Sequence, residues 1–243
     1  MFSHSVTTYG RSSIILLTTS VRCLLLTLIA LLLFATPAPA VTVWTNWTSF
    51  TLGSNGGESA AGSVGGVGVS YSGELDNAVI NGTSNIWAPN SSFIGGTVTT
   101  SPSTVNDDLR LNGTSTGVNA LTFATPLENP VFAIWSLGAP GLPASFVFNA
   151  TPTLEAGGPN SQFGGSSIIV NGNTVTGSEG NGVVQFTGTF NSISWTNTFE
   201  NFYAFTVGIN GPLQPPSSVP EPSSLLLTSL GLLGFALRLR KRK

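Results

Sequence analysis

Between Val41 and Gly211 the chain never sustains the 3.6-residue hydrophobic period of an amphipathic helix. Short alternating or apolar runs recur instead, separated by Gly, Asn, Ser and Pro. Period-two runs of this length, bounded by turn formers, can bury one face only as strands, so the segment is predicted to be all-β. Strands are expected within 42–52, 66–75, 93–99, 108–111, 120–123, 130–137, 144–148, 167–170, 174–176, 182–187, 192–196 and 202–209. The second run places Val67, Val69 and Tyr71 on one face. Asn171-Gly172 between two apolar runs predicts a hairpin, since both residues tolerate the positive φ of a tight turn. The stretch 183–195 reads as a second hairpin turning at 188–191. Many short strands at regular spacing point to a two-sheet antiparallel β-sandwich, jelly-roll-like, in preference to an up-and-down barrel. No repeat of fixed length is visible, which argues against a solenoid.

The five Trp and 15 Phe supply the core, each buried aromatic removing about 150–250 Å² from water. Trp44, Trp47, Trp87, Trp135 and Trp195 are the core candidates, and for each of them burial is favoured over sugar stacking. Trp87, flanked by Asn85 and Pro89 in loop-like sequence, is the one to test first as a surface ligand contact.

Charge excludes more than it assigns. From Val41 to Ser218 there are nine carboxylates and one cation, Arg110, a net charge of −8. Such a domain repels nucleic acid. Cys23 and His4, the sole residues of their types, fall in the first 40 residues, and the rest of the domain has no Lys. Disulfides, His or thiolate metal sites and a His general base are therefore ruled out for 41–211. Glu74 with Asp76, and Asp107 with Asp108, offer oxygen ligands for Ca²⁺ or a carboxylate pair for glycoside hydrolysis. The spacing is neither that of an EF-hand nor that of a repeat-type calcium loop, and solvated surface carboxylates are the expected reading. The Asn-x-Ser/Thr triplets at Asn46, Asn81, Asn90, Asn112 and Asn149 read as turn chemistry, and the Gly-rich runs lack the lysine of a phosphate loop. No catalytic residue, metal or cofactor is assigned.

The two ends read as addresses. Residues 1–40 have Arg11 and Arg22, then the apolar run 23–34, then Thr36-Pro-Ala-Pro-Ala40. Ala38 and Ala40 present the small-x-small pattern that signal peptidase accepts, so cleavage is expected before Val41. Cys23 precedes the apolar run and follows Arg22, which does not suit lipidation. A Pro- and Ser-rich linker covers 212–218. Then come Val219-Pro220-Glu221-Pro222, an apolar segment at 223–237, and the basic tail Arg238, Arg240, Lys241, Arg242 and Lys243. Fifteen uncharged residues fall short of the roughly 20 that cross a bilayer core, so spanning relies on Arg238 and Arg240 snorkelling at one end. The cationic tail should stay cytoplasmic, leaving everything upstream outside. Two prolines around Glu221 keep that motif extended.

This order of Pro-Glu-Pro, apolar helix and basic tail, with a signal peptide at the far end, resembles the PEP-CTERM sorting signal. The resemblance covers about 219–243. It implies recognition and processing by an exosortase, a membrane cysteine transpeptidase, followed by release outward. The stretch 180–208 is loosely similar to the last strands of β-sandwich domains in other proteins with this signal. The expected protein is a non-enzymatic cell-surface or extracellular-matrix protein. It is transiently anchored in the inner membrane, and its partners are signal peptidase, the exosortase and exopolysaccharide. The alternative is a carbohydrate-binding module.

Overall fold

The computed structural model describes residues 41–53, 57–80, 85–102, 107–114 and 117–211. The segments expected to be the signal peptide, the linker and the sorting signal, and the N-terminal signal helix and C-terminal transmembrane helix expected there, lie outside the described residues. Among the described residues no helix is long and apolar enough to cross a membrane.

Two sheets form. The first runs β10 (Thr153–Gly157), β14 (Gly180–Gln185), β8 (Pro130–Leu137), β16 (Tyr203–Gly211), β6 (Asp108–Leu111) and β5 (Asn77–Val79). β1 (Val41–Trp44) also joins β16, and β11 (Ser166–Ser167) joins β14 in a short parallel ladder. The second sheet runs β12 (Ile169–Asn171), β13 (Thr174–Gly177), β9 (Ala144–Phe148), β15 (Thr189–Asn197), β7 (Asn119–Glu128), β4 (Val67–Ser72), β3 (Ser59–Val64) and β2 (Asn46–Thr51). These neighbours pair antiparallel, and the two sheets pack together as the predicted sandwich.

The period-two code is visible in β4, where Val67, Val69 and Tyr71 are buried while Gly68, Ser70 and Ser72 face water. β8 departs from it, because all eight residues are buried. Phe132 and Ile134 enter the core between the sheets, where Phe132 stacks on Phe205 at 4.9 Å and meets Trp195 at 5.1 Å. Val131, Ala133 and Trp135 point to the opposite face and form a second cluster with Val183 and Ala204. Ile86, Trp87, Phe93 and Val98, all from the segment between β5 and β6, belong to that cluster. The first sheet is thus covered on both sides, by the second sheet and by a long loop.

The Asn171–Thr174 hairpin forms as predicted, with Gly172 at φ 59° in its two-residue turn. The second predicted hairpin does not form. β14 lies in the first sheet beside β8, and β15 lies in the second between β7 and β9. The chain crosses the sandwich at Gly188, whose φ of 119° strongly favours glycine. A neighbouring crossing at Asn129, between β7 and β8, is pinned to it: Asn129 N donates to Gly188 O at 2.8 Å, and Gly188 N to Asn129 Oδ1 at 2.9 Å. These bonds, together with burial of Phe186 in the central core, replace the ladder that a hairpin would have made. The strand expected at 93–99 is instead the end of a 3₁₀ turn (Asn90–Ser92) and a tight bridge between Gly95 and Val98.

Candidate functional site

The sorting-motif residues Val219, Pro220, Glu221 and Pro222, the tail Arg238, Arg240, Lys241, Arg242 and Lys243, and the cleavage residues Ala38 and Ala40 lie outside the described residues. Trp87 does not. Its exposure is 0%, and its ring meets Phe93 edge-on at 5.2 Å. Of the two readings of Trp87 the core one holds and the surface contact does not: the polar loop around it lies over the apolar outer face of β8, and the indole packs there with Ile86, Phe93 and Val98.

The carboxylates expected to be solvated are also redistributed. Glu74 is buried and accepts from Gly113 N at 3.0 Å, Thr114 N at 2.7 Å, Thr114 Oγ1 at 2.9 Å and Asn197 Nδ2 at 2.8 Å. Asn119 continues the network, its Nδ2 donating to Asn197 Oδ1 at 2.7 Å and its Oδ1 accepting from Glu74 N at 2.9 Å. The Tyr71 hydroxyl bonds to the Glu74 carbonyl and lies 2.7 Å from Asn119 Oδ1; burial pushes its pKa well above the usual tyrosine range. Asp76, expected to share a face with Glu74, is exposed and at 3.4 Å from Asn112 Nδ2. This network ties β4, β7, β15 and the 112–114 loop together, with the Glu74 carboxylate and the Asn119 amide used inward. It is structural.

Asp108 is fully buried and pairs with Arg110 Nε at 2.5 Å. Asp107, beside it, has a carboxyl pushed up to about 6, first by burial and then by the Asp108 charge, against a backbone N–H from Trp47. Among the described residues no group of three or more His, Cys, Asp or Glu is placed to hold a metal ion.

A different constellation gathers on the outer face of the first sheet. Register places Trp135 of β8, Ala204 of β16 and Arg110 of β6 in one row. Phe202 meets Trp135 edge-on at 5.4 Å, and the Arg110 guanidinium lies 5.1 Å from the Phe202 ring centre. On the other side Phe163 tilts against Trp135 at 5.4 Å while remaining 57% exposed. Asn160 fixes the turn that carries Phe163: its Oδ1 accepts from Gln162 N at 2.8 Å and Phe163 N at 2.6 Å, and its Nδ2 donates to Asn181 Oδ1 at 3.0 Å. Asn181 Oδ1 also accepts from Ser136 N at 2.8 Å.

Two carboxylates belong to this face. Glu179 accepts from the Ser136 hydroxyl, and both Ser136 and Glu179 hold φ 57° at a bulge between β8 and β14. Glu200 is 4% exposed, and burial raises its pKa, opposed by the Phe202 and Asn201 N–H groups and reinforced by the Glu179 charge. Glu200 Oε2 and Trp135 Nε1 are buried without a hydrogen-bond partner. Buried polar atoms are rarely left so. Of these residues, sequence reading placed Trp135 in the core and gave Phe163, Glu179 and Glu200 no role; nothing in their local spacing joins them, because register across β6, β16, β8 and β14 does.

No curated protein and no solved structure matches the chain. A family model does match at the C-terminus, over residues 218–242, and its description is the PEP-CTERM protein-sorting motif. The Pro-Glu-Pro, the apolar segment and the basic tail up to Arg242 fall inside that span, which implies export with exosortase-type processing: the chain carries a PEP-CTERM sorting motif behind an all-β domain.

Proposed function

We propose that this chain is a non-enzymatic protein of the cell surface or extracellular matrix. In this reading signal peptidase cleaves after Ala40, and the 223–237 helix holds the exported domain at the inner membrane until it is processed near Pro220–Pro222. The match over 218–242 is the observation that carries this reading. The fold supports it: nine carboxylates and one guanidinium over 41–218 keep such a domain soluble without a basic surface, and Glu74 and Asp108 are spent on structure. The jelly-roll-like form of the sandwich belongs to the same proposal, supported by chain crossings between the sheets at Asn129 and Gly188.

The test follows a tagged chain in its own cells. Glu221→Ala should leave the full-length form in the membrane. Deleting residues 238–243 should also reduce release, because the cationic stop is gone. Release at the normal size and rate in both variants sinks the sorting claim.

A second reading, a carbohydrate-binding module, draws on one observation: an exposed phenyl ring set on a tryptophan beside two carboxylates. Trp87, buried in the cluster over β8, plays no part in it.

A further inference from the structure

We infer that Asn171 is a site of spontaneous chemical modification, where the Gly172 backbone nitrogen displaces the side-chain amide and leaves aspartate or isoaspartate at the β12–β13 turn. The inference is independent of the sorting and carbohydrate readings above. The step needs only water. The deprotonated Gly172 nitrogen attacks Asn171 Cγ, a new N–Cγ bond closes a succinimide ring, and the amide nitrogen leaves as ammonia. Hydrolysis of the Cγ–N bond then gives aspartate. Hydrolysis of the bond between the Asn171 backbone carbonyl and the same nitrogen gives isoaspartate, with the main chain rerouted through Cβ and Cγ. One water is taken up, one ammonia is released, and nothing is oxidised or reduced.

The dipeptide alone does not choose the site, because Asn-Gly pairs stand at Asn112, Asn171, Asn181 and Asn210 among the described residues. Those at Asn55 and Asn81 lie outside them. The reaction needs a side-chain amide free to rotate, a backbone N–H not held by an acceptor, and a backbone able to bring the two together. At Asn112 the nucleophile is held: Gly113 N donates to Glu74 Oε2 at 3.0 Å, and Asn112 Oδ1 accepts from Thr114 Oγ1 at 2.8 Å. Asn181 is fully buried, its Oδ1 accepting from Ser136 N at 2.8 Å and its Nδ2 donating to Glu179 O at 2.9 Å. Asn210 Oδ1 accepts from Thr42 Oγ1 and its Nδ2 donates to Thr97 Oγ1, each at 2.6 Å. Asn171 is the one of the four that is exposed, and among the described residues nothing bonds to its side chain. Gly172, at φ 59°, has open space where a Cβ would stand, so the ring can close there without a clash. Asn171 also ends β12, a three-residue edge strand with one neighbour. Only its pair with Thr174 has to open for Cγ to swing onto the nitrogen. The aspartate product adds a charge to an exposed turn. The isoaspartate product adds a methylene to the main chain, breaks the Asn171–Thr174 register and loosens β12 from β13.

The experiment holds the full-length chain in a zwitterionic detergent at mildly alkaline pH, where the attacking nitrogen loses its proton more readily. Peptide mapping, with fragmentation that separates isoaspartate from aspartate, follows each Asn-Gly pair over time. Asn171 should convert at least about tenfold faster than Asn112, Asn181 or Asn210, since its reactive geometry needs only local opening. In concentrated urea the four rates should fall within about threefold of one another, because the fold that separates them is gone. Asn171→Gln should end modification at this position and leave the other three rates unchanged. In the converted chain, amides shared between β12 and β13 should exchange with solvent about tenfold faster, whereas Asn171→Asp, with the charge but not the extra methylene, should keep its protection. An intact Asn171 in the folded chain, with conversion in urea, overturns the site, because the hairpin then guards it. Equal rates at the four pairs in the folded chain overturn selection by the structure. Equal loosening in Asn171→Asp overturns isoaspartate as the cause of the loosening.

Discussion

Asp107 shows how a single side chain sets a pH dependence for the whole domain. It stands at φ 76° just before β6, with one carboxyl oxygen buried and unpaired and Asp108 beside it. Burial and that neighbouring charge hold its proton up to about pH 6, against a free value of 3.8. Folding therefore takes up a proton between these limits. The stabilisation is fully present below about pH 4 and is lost as pH rises through 6. Glu200, raised by burial, adds to the same trend. Asp107 is partly exposed, so solvent screening cuts the effect to roughly 1 kcal/mol. Asp107→Asn removes the charge and tolerates positive φ better. Thermal melts at pH 7 should rise by about 2–4 °C in this variant, and the gain should vanish near pH 4. An equal gain at both pH values would assign the effect to backbone conformation instead of ionisation.

At the scale of elements, the polar network around Glu74 joins β4 and β15, which share no ladder with each other, to the loop after β6. Glu74 follows β4, its carboxylate receives two backbone N–H groups from the 112–114 loop, and Asn197 brings in the end of β15. Glu74→Gln replaces one acceptor oxygen by an amide that faces donors, so it should cost about 2 kcal/mol in denaturant unfolding. A loss below about 0.5 kcal/mol would show that the loop finds other partners. This network was hidden in the sequence, where Glu74 and Asp76 look alike; only the approach of loop 112–114 separates them. Other elements were open to reading. β8 and β9 match their predicted limits because Pro130 and the Gly138–Pro143 loop bound dense apolar runs. β3, with Ser-Ala-Ala-Gly-Ser-Val, was missed, since it buries only Ala60 and Val64 and owes its form to pairing between β2 and β4. β5 and β10 were missed for the same reason. The false hairpin at 183–195 had the right strands and the wrong partners, because turn residues mark where a chain bends and not which sheet receives it.

For the whole domain, the order of layers should order its stability. β8 is buried on both faces and hydrogen-bonded on both edges, to β14 and β16. β16 in turn pairs with β8, β6 and β1, and its last residue, Gly211, sits opposite Val41. The first and last described residues therefore close on each other, and β1, the first strand, has no ladder until the last one exists. β2 and β12 have one neighbour each and lie at the two ends of the second sheet. Amides that open only when a doubly covered strand leaves the core exchange through global unfolding, while singly paired edge amides exchange through local opening. Hydrogen exchange of the full-length chain should thus find the amides of β8 and of 203–209 slowest, with those of β2 and β12 faster by about a hundredfold or more. Removing the loop cover should narrow that gap from the slow side: Trp87→Ala uncovers the outer face of β8, costs about 3–5 kcal/mol, and speeds exchange at Val131, Ala133 and Trp135 without changing β2. If β8 amides exchange as fast as those of β2 in the unaltered chain, the loop is not a stable third layer. The face that presents Phe163 would then lack the rigid floor on which its placement depends.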